Sequence, residues 1–225
     1  MQTYLDFEKT IAELESRIRD MKVLESGDEI NIAEEIRRLE RKLDNLLRST
    51  YSKLTSWQKI KVARHPDRPP LSDDIRNLFT DFMPLSGDRG FADDHAIIGG
   101  IGRFNGQTVM VVGHEKGNDT ASRIKHNFGM ARPEGFRKAI RLFHLADQLK
   151  MPIITFVDTA GAYPGIGAEE RGQAEAIARS TEACLAVKVP LISVIVGEGG
   201  SGGAVALAVG NKVLMMEHAV YSVIS

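Results

Sequence analysis

Apolar positions along the chain fall into two patterns. In residues 1–65, Ile11, Leu14, Ile18 and Met21 recur at helical spacing, as do Ile32, Ile36, Leu39, Leu43 and Leu46, with charges between them. Gly27 breaks the first run, and Asn31 with Glu34 three residues on has the form of a capping box for the second. The pattern predicts an α-helical hairpin with a narrow apolar seam. Such an arm packs on its own domain or a partner subunit, since a lipid-surface helix needs a more basic polar face. A third helix is expected around Leu54, Trp57, Ile60 and Ala63, before the helix-ending run Arg64-His65-Pro66-Asp67-Arg68-Pro69-Pro70. This divides the chain into a helical arm, 1–65, and a main domain, 66–225.

Beyond residue 70 the periodicity changes. Ser72 is placed to cap a short helix through Phe82, followed by the polar turn Gly87-Asp88-Arg89-Gly90. Ile97–Phe104, Asn105-Gly106 and Gln107–Val112 read as an interior β-hairpin. Pro133-Glu134 opens a helix with a predicted buried face of Phe136, Ile140, Phe143, Ala146 and Leu149. Met151–Thr159 reads as a strand, and Ala160–Gly167 as a glycine loop. A helix from Glu169-Glu170 through Ala174, Ile177, Ala178 and Leu185 then leads to a strand at Leu191–Val196. Strand, glycine loop and helix thus occur twice, and from pattern alone this is a doubly wound α/β sheet with both loops facing one crevice.

The second loop, Gly197-Glu198-Gly199-Gly200-Ser201-Gly202-Gly203, precedes an apolar stretch, Ala204–Val209, expected to be a buried helix. Gly202 and Gly203 at its start would offer unpaired N–H groups to an anion or oxyanion. A phosphate loop needs Lys where Ala204 stands. Gly199-Gly200-Ser201-Gly202-Gly203 matches the nucleophile elbow G-x-S-x-G, but only Glu217 and His218 follow as partners for a serine hydrolase. An oxyanion hole without a nucleophile, and a glycine turn needed only for packing, complete the readings.

Composition narrows the field. With 225 residues, 43% of them hydrophobic, the chain has material for a full core. A net charge of −1 argues against a general nucleic-acid binder. With neither an 18-residue apolar stretch nor an export signal, it reads as a cytoplasmic protein without a membrane span. The single cysteine, Cys184, excludes an internal disulfide and a cysteine-rich zinc site, and the histidines lack metal-ligand spacing, so no metal is expected. From Arg123 to Lys150 seven basic residues stand against two acidic ones. Arg132 and Arg137 in this stretch are candidates for holding a phosphorylated small molecule, or Arg137, Lys138 and Arg141 are only a solvated helix face.

The run Pro152–Ala178, containing Asp158-Thr159-Ala160-Gly161-Ala162-Tyr163-Pro164-Gly165-Ile166-Gly167, together with Gly197–Ala204, resembles the α-subunit family of the bacterial-type acetyl-CoA carboxylase carboxyltransferases. So do Arg64-His65-Pro66, Gly87-Asp88-Arg89 with Asp93-Asp94, Asn127–Met130 and Pro133-Glu134-Gly135. The resemblance runs from the arm to Ser225. It departs at Ala160, where the family usually has Pro, and at Asn118, where Arg is more usual. It implies a crotonase-like spiral of ββα units in place of a doubly wound sheet, and a chain incomplete at its C-terminus. It also implies an α2β2 assembly with a β subunit, served by a biotin carboxyl carrier protein and a biotin carboxylase. The reaction implied carries carboxyl from carboxybiotin to acetyl-CoA, giving malonyl-CoA for fatty-acid synthesis; another short acyl-CoA is the alternative substrate. Gly202 and Gly203 would then be catalytic, receiving the charge left on the ureido oxygen, while the β subunit holds the acetyl-CoA enolate. Gly161, Ala162, Tyr163, Gly165, Gly167, Gly199, Gly200, Arg132 and Arg137 would bind substrate.

Overall fold

The computed structural model describes residues 3–24 and 30–224, in two compact units, 1–65 and 66–225. The expected breaker Gly27 lies outside the described residues, as does the side chain of the expected cap Asn31.

In the first unit, helices α1 (Lys9–Leu24) and α2 (Ile30–Tyr51) bury Ile18, Ile36 and Leu39 between them, with Leu14, Met21, Ile32 and Leu43 packed around. These are the periodic positions, because a 3.6-residue repeat keeps them on one face. Helix α3 (Ser56–Ala63) begins at a capping box of Thr55 and Gln58.

In the second unit, α4 (Leu71–Leu78) starts after Pro70 and stops at Phe79. The expected helix through Phe82 is therefore too long, and Ser72 is not its cap: its N–H donates to Glu115 Oε2 at 2.8 Å. Thr80–Pro84 forms strand β1 instead, paired antiparallel with β2 (Ile97–Phe104). Asn105 and Gly106, both at positive φ (48° and 82°), turn β2 into β3 (Gln107–His114), which is why this hairpin is legible in two residues. After α5 (Thr120–Lys125) and α6 (Pro133–Gln148), strand β4 (Ile153–Thr159) lies parallel to β3. Helices α7 (Ile166–Glu170) and α8 (Gln173–Ala186) lead to β5 (Leu191–Gly200), α9 (Ser201–Val205), β6 (Lys212–Met215) and β7 (Val220–Ser222). The sheet runs β1-β2-β3-β4-β5-β6, with β7 paired to the far half of β5. It is mixed, antiparallel through β3 and parallel beyond, which corrects the all-parallel doubly wound pattern.

One face of the sheet carries the main core of Met110, Val112, Ile153, Leu191 and Ile195 under α6 and α8; the other packs Val109, Val111 and Phe156 against Leu71, Ile75 and Phe79. Several expected faces shift. Among the apolar side chains of α6, Phe136, Ala139, Leu142, Phe143 and Ala146 are buried, while Leu149 beyond it is exposed. A break at Arg171-Gly172 separates α7 from α8, rotating Ala176, Ser180, Ala183 and Cys184 inward and leaving Ala174, Ala178 and Leu185 outside. Cys184 is buried, its thiol pushed up to about 12 by burial.

Strand β5 does not stop at Val196 but runs on through Gly200, with a bulge: Val157 pairs with Ile195 and Thr159 with Gly199, so four steps on β5 face two on β4. The helix expected over Ala204–Val209 is the single turn α9, and the chain after it is fastened to the sheet. Thr155 Oγ1 lies 2.7 Å and Ser193 Oγ 3.0 Å from Leu207 O, and Ser180 Oγ donates to Ala206 O at 2.8 Å.

Candidate functional site

The two glycine loops leave the adjacent ends of β4 and β5 and touch through bare backbone. A Cβ on Gly203 would lie 2.6 Å from the Gly161 carbonyl carbon and 2.9 Å from the Ala162 nitrogen, and one on Gly200 would lie 2.3 Å from the Ala160 oxygen. Only glycine permits that approach. Gly200 is the N-cap residue of α9 and provides no side-chain cap, so the N–H groups of Gly202 and Gly203 precede the first intrahelical bond. With five residues α9 has little macrodipole, and what it offers is these N–H donors.

The first loop is held from the side. Tyr163 N donates to Ala131 O at 2.9 Å, and Gln173 Nε2 bridges Ala131 O (2.9 Å) and Tyr163 O (3.0 Å). The Arg132 guanidinium stacks over the Tyr163 ring at 5.0 Å. Gly165 lies against that ring, where a Cβ would come within 2.3 Å, and Gly167 sits in α7 beside Arg171. Gly199 is set differently: it pairs with Tyr221 in β7, and its missing side chain makes room for that strand. Arg137, one turn along α6 from Arg132, donates to Arg171 O at 2.6 Å. The structure thus brings Gly161, Ala162, Gly200 and Gly203 into contact, places Tyr163 with Arg132 at the side, and sets Gly199 and Arg137 apart.

Sequence reasoning missed the groups that brace the loops. Asp94 binds the N–H of Ala96 at 3.0 Å and of Arg132 at 2.7 Å, joining the start of β2 to the start of α6; burial raises its carboxyl pKa, opposed by those N–H groups. Lys138, for which a solvated helix face is one of the two sequence readings, is buried and donates to Asp93 Oδ1 at 2.6 Å. On the α4 side of the sheet, Lys116, Glu115, Asp158 and Glu198 gather at the strand ends with Asp74, whose carboxyl is pushed up by burial and by Asp73, Asp158 and Glu115. Arg68 Nε donates to Val196 O at 2.7 Å there. His114, the last residue of β3, is fully buried with no hydrogen bond to either ring nitrogen; burial above all, with the Lys116 charge second, pushes the imidazole down to about 3. The peptide groups of Phe156 and Gly203 lie close enough to oppose this shift, though not aligned as hydrogen bonds. The doublet Asp93-Asp94 was the one visible signal for this bracing. The other partners are scattered over the chain.

Ser201 has φ 52°, the strained conformation that an elbow nucleophile adopts. Among the described residues no hydrogen bond reaches its hydroxyl, so a base is missing. Nor, among the described residues, could any group of three His, Cys, Asp or Glu side chains hold a metal ion, and no helix is long and apolar enough to cross a membrane.

The family model described as acetyl co-enzyme A carboxylase carboxyltransferase-like matches residues 4–225. The acetyl-coenzyme A carboxylase carboxyl transferase subunit alpha of Paramagnetospirillum magneticum is 66% identical over 221 residues, which cover 98% of this chain and 70% of that protein. The protein of the same name from Zymomonas mobilis is 65% identical over 225 residues, covering 100% of this chain and 72% of that one. Among solved structures, a transcarboxylase 12S with hydrolysed methylmalonyl-coenzyme A bound matches with a TM-score of 0.59 at 21% identity, over 73% of this chain and 32% of that one. That likeness is one of fold.

Proposed function

Because the chain belongs to the acetyl co-enzyme A carboxylase carboxyltransferase-like family, we infer that it is the α subunit of a biotin-dependent carboxyltransferase, which transfers a carboxyl group to acetyl-CoA and yields malonyl-CoA for fatty-acid synthesis. It works in the cytoplasm, with a β subunit in an α2β2 assembly, a biotin carboxyl carrier protein and a biotin carboxylase. Its main domain is a crotonase-like spiral of ββα units, and the first 65 residues are a hairpin arm.

One observation carries the site: the bare backbone contact of Gly203 with Gly161 and Ala162. Carboxybiotin, on its carrier, supplies the carboxyl group. The residues present fit it, since this part of the crevice wall is backbone, and uncapped N–H donors suit an oxygen that gains negative charge. Gly202 and Gly203 donate those N–H groups to the ureido oxygen. Gly161, Ala162, Tyr163, Gly165 and Gly167 line the crevice, Gly200 shapes its floor, and Arg132 supplies positive charge beside it, while Gly199, which makes room for β7, and Arg137, which turns to Arg171 O, stand outside it. No protein nucleophile is required, in keeping with the unbonded Ser201 hydroxyl.

The test is malonyl-CoA formation from acetyl-CoA and carboxybiotin, using this chain and a version at its relatives' length, each mixed with a β subunit and each alone. Product only in a mixture, lost on substitution of Gly202 and Gly203, is the expected result. A stable complex inactive on acetyl-CoA and propionyl-CoA would make the chain a scaffold instead.

A further inference from the structure

Between α6 and the loop 86–92 lies a solvent-open groove of about 560 Å³, lined by Asp88, Arg89, Arg137, Ile140, Arg141, His144, Leu145 and Gln148. Its cations are built into place. Arg141 donates from Nε to Gly87 O at 3.0 Å and from Nη2 to Ser86 O at 3.1 Å, and Arg89 Nη1 reaches the same Ser86 carbonyl at 3.3 Å. Arg89 holds a left-handed backbone, φ 62°, next to Gly87 at 80°. The acids of this loop are already engaged: Asp88 binds the N–H groups of Gly90, Phe91 and Ala92, and Asp93 binds Gly87 N and Lys138.

Among the described residues, no carboxylate forms an ion pair with Arg89 or Arg141. Burial, and then the neighbouring Arg89 charge, press the Arg141 pKa downward, against the pull of Asp93 and Asp88. Arg137 adds a third guanidinium, whose nearest acid, Glu175, is 3.8 Å away. Two like charges pinned on one carbonyl, over an apolar floor of Ile140 and Leu145, are stabilised by an anion with several oxygens, which matches guanidinium forks better than a single carboxylate does.

We propose that this groove binds a phosphoryl group, gripped by Arg89 and Arg141 and assisted by Arg137. Arg141 stands about 13 Å along α6 from Arg132, so the site is separate from the glycine crevice. The phosphoryl group belongs either to the CoA of the substrate, which rests on the function inferred above, or to a free phosphorylated metabolite.

The first measurement is calorimetric titration of the 225-residue chain with pyrophosphate at low ionic strength. Each of Arg89→Gln and Arg141→Gln is expected to weaken binding about tenfold, and Arg141→Lys, which keeps the charge but loses the fork, about threefold to fivefold. No binding to the unaltered chain, or equal binding by folded variants, overturns the proposal. Should a variant not fold, phenylglyoxal labelling of the unaltered protein answers instead: pyrophosphate must protect Arg89 and Arg141, and unprotected labelling overturns the proposal equally. The source is read in the assembled enzyme. A KM raised by Arg141→Gln for acetyl-CoA but not for acetyl-pantetheine assigns the phosphate to the substrate; pyrophosphate binding with both KM values unchanged assigns it to a free ligand. An assembly without carboxyl transfer refutes the inferred function and leaves the pyrophosphate result standing.

Discussion

Asp158 Oδ1 accepts the N–H of Glu198 at 2.8 Å, and the two carboxylates share Lys116, whose Nζ lies 2.7 Å from Asp158 Oδ1 and 3.5 Å from Glu198 Oε2. Both carboxylates are buried. Removing the shared cation therefore takes the ion pair from the Asp158 carboxylate in a low dielectric. Lys116→Met is expected to cost about 3–5 kcal/mol, read by urea unfolding at pH 7. A loss below about 1 kcal/mol would mean that the pair is in effect solvated.

Gly203 and Gly202 should respond differently to the same change. An alanine methyl at Gly203 meets the Gly161 and Ala162 backbone and must part the loops, whereas at Gly202 it meets only Ile177 methyl carbons at 3.4 Å. Gly203→Ala is expected to lower carboxyl transfer by about 100-fold or more. Gly202→Ala should leave stability within about 1 kcal/mol of the parent, because a helix prefers Ala. Equal activity for the parent and the Gly203 variant would remove the loop contact from the site.

Acid should find His114. The unfolded imidazole titrates near 6.5 and the folded one at about 3, so below 6.5 the unfolded chain binds a proton that the native state refuses. Stability falls as pH drops between these values. From pH 7 to pH 5 this one group removes about 2 kcal/mol. His114→Leu should lose less stability than the parent over that interval by about this amount. Parallel losses would show that the ring is protonated when folded.

Ser201 holds a left-handed backbone, and among the described residues no hydrogen bond reaches its hydroxyl. Replacement by glycine, which accepts φ 52° freely, is expected to hold or raise stability by up to about 1 kcal/mol and to leave the carboxyl-transfer rate within about threefold. A loss of 100-fold or more, together with labelling of the parent by an organophosphonate, would restore the nucleophile reading.

What was legible in the sequence is what short-range chemistry determines. Asn105-Gly106 needs no distant partner to turn a hairpin, and the glycines at 161 and 203 announce a close approach without saying to what. Where the outcome depended on a remote contact, the sequence misled. Thr80–Phe82 reads as the tail of the preceding helix, but with Met83 and Pro84 it becomes a strand because β2 offers an edge to it. Lys138 looked solvated because Asp93, its partner, lies 45 positions away. Gly199 looked like part of the crevice because the pairing of β7 with β5 leaves no local trace. The brace of Lys116, Asp158 and Glu198 is likewise divided among three strand ends.

The bulge in β5 makes its length matter more than its spelling. Because β5 spends four steps where β4 spends two, Gly203 arrives opposite Gly161 only if every residue between Ile195 and Gly199 is kept. Deleting one would turn each later side chain to the opposite face, and deleting two would draw the second loop back by roughly 7 Å. Among natural or engineered versions of this segment, exchanges of residues should survive far more often than insertions or deletions.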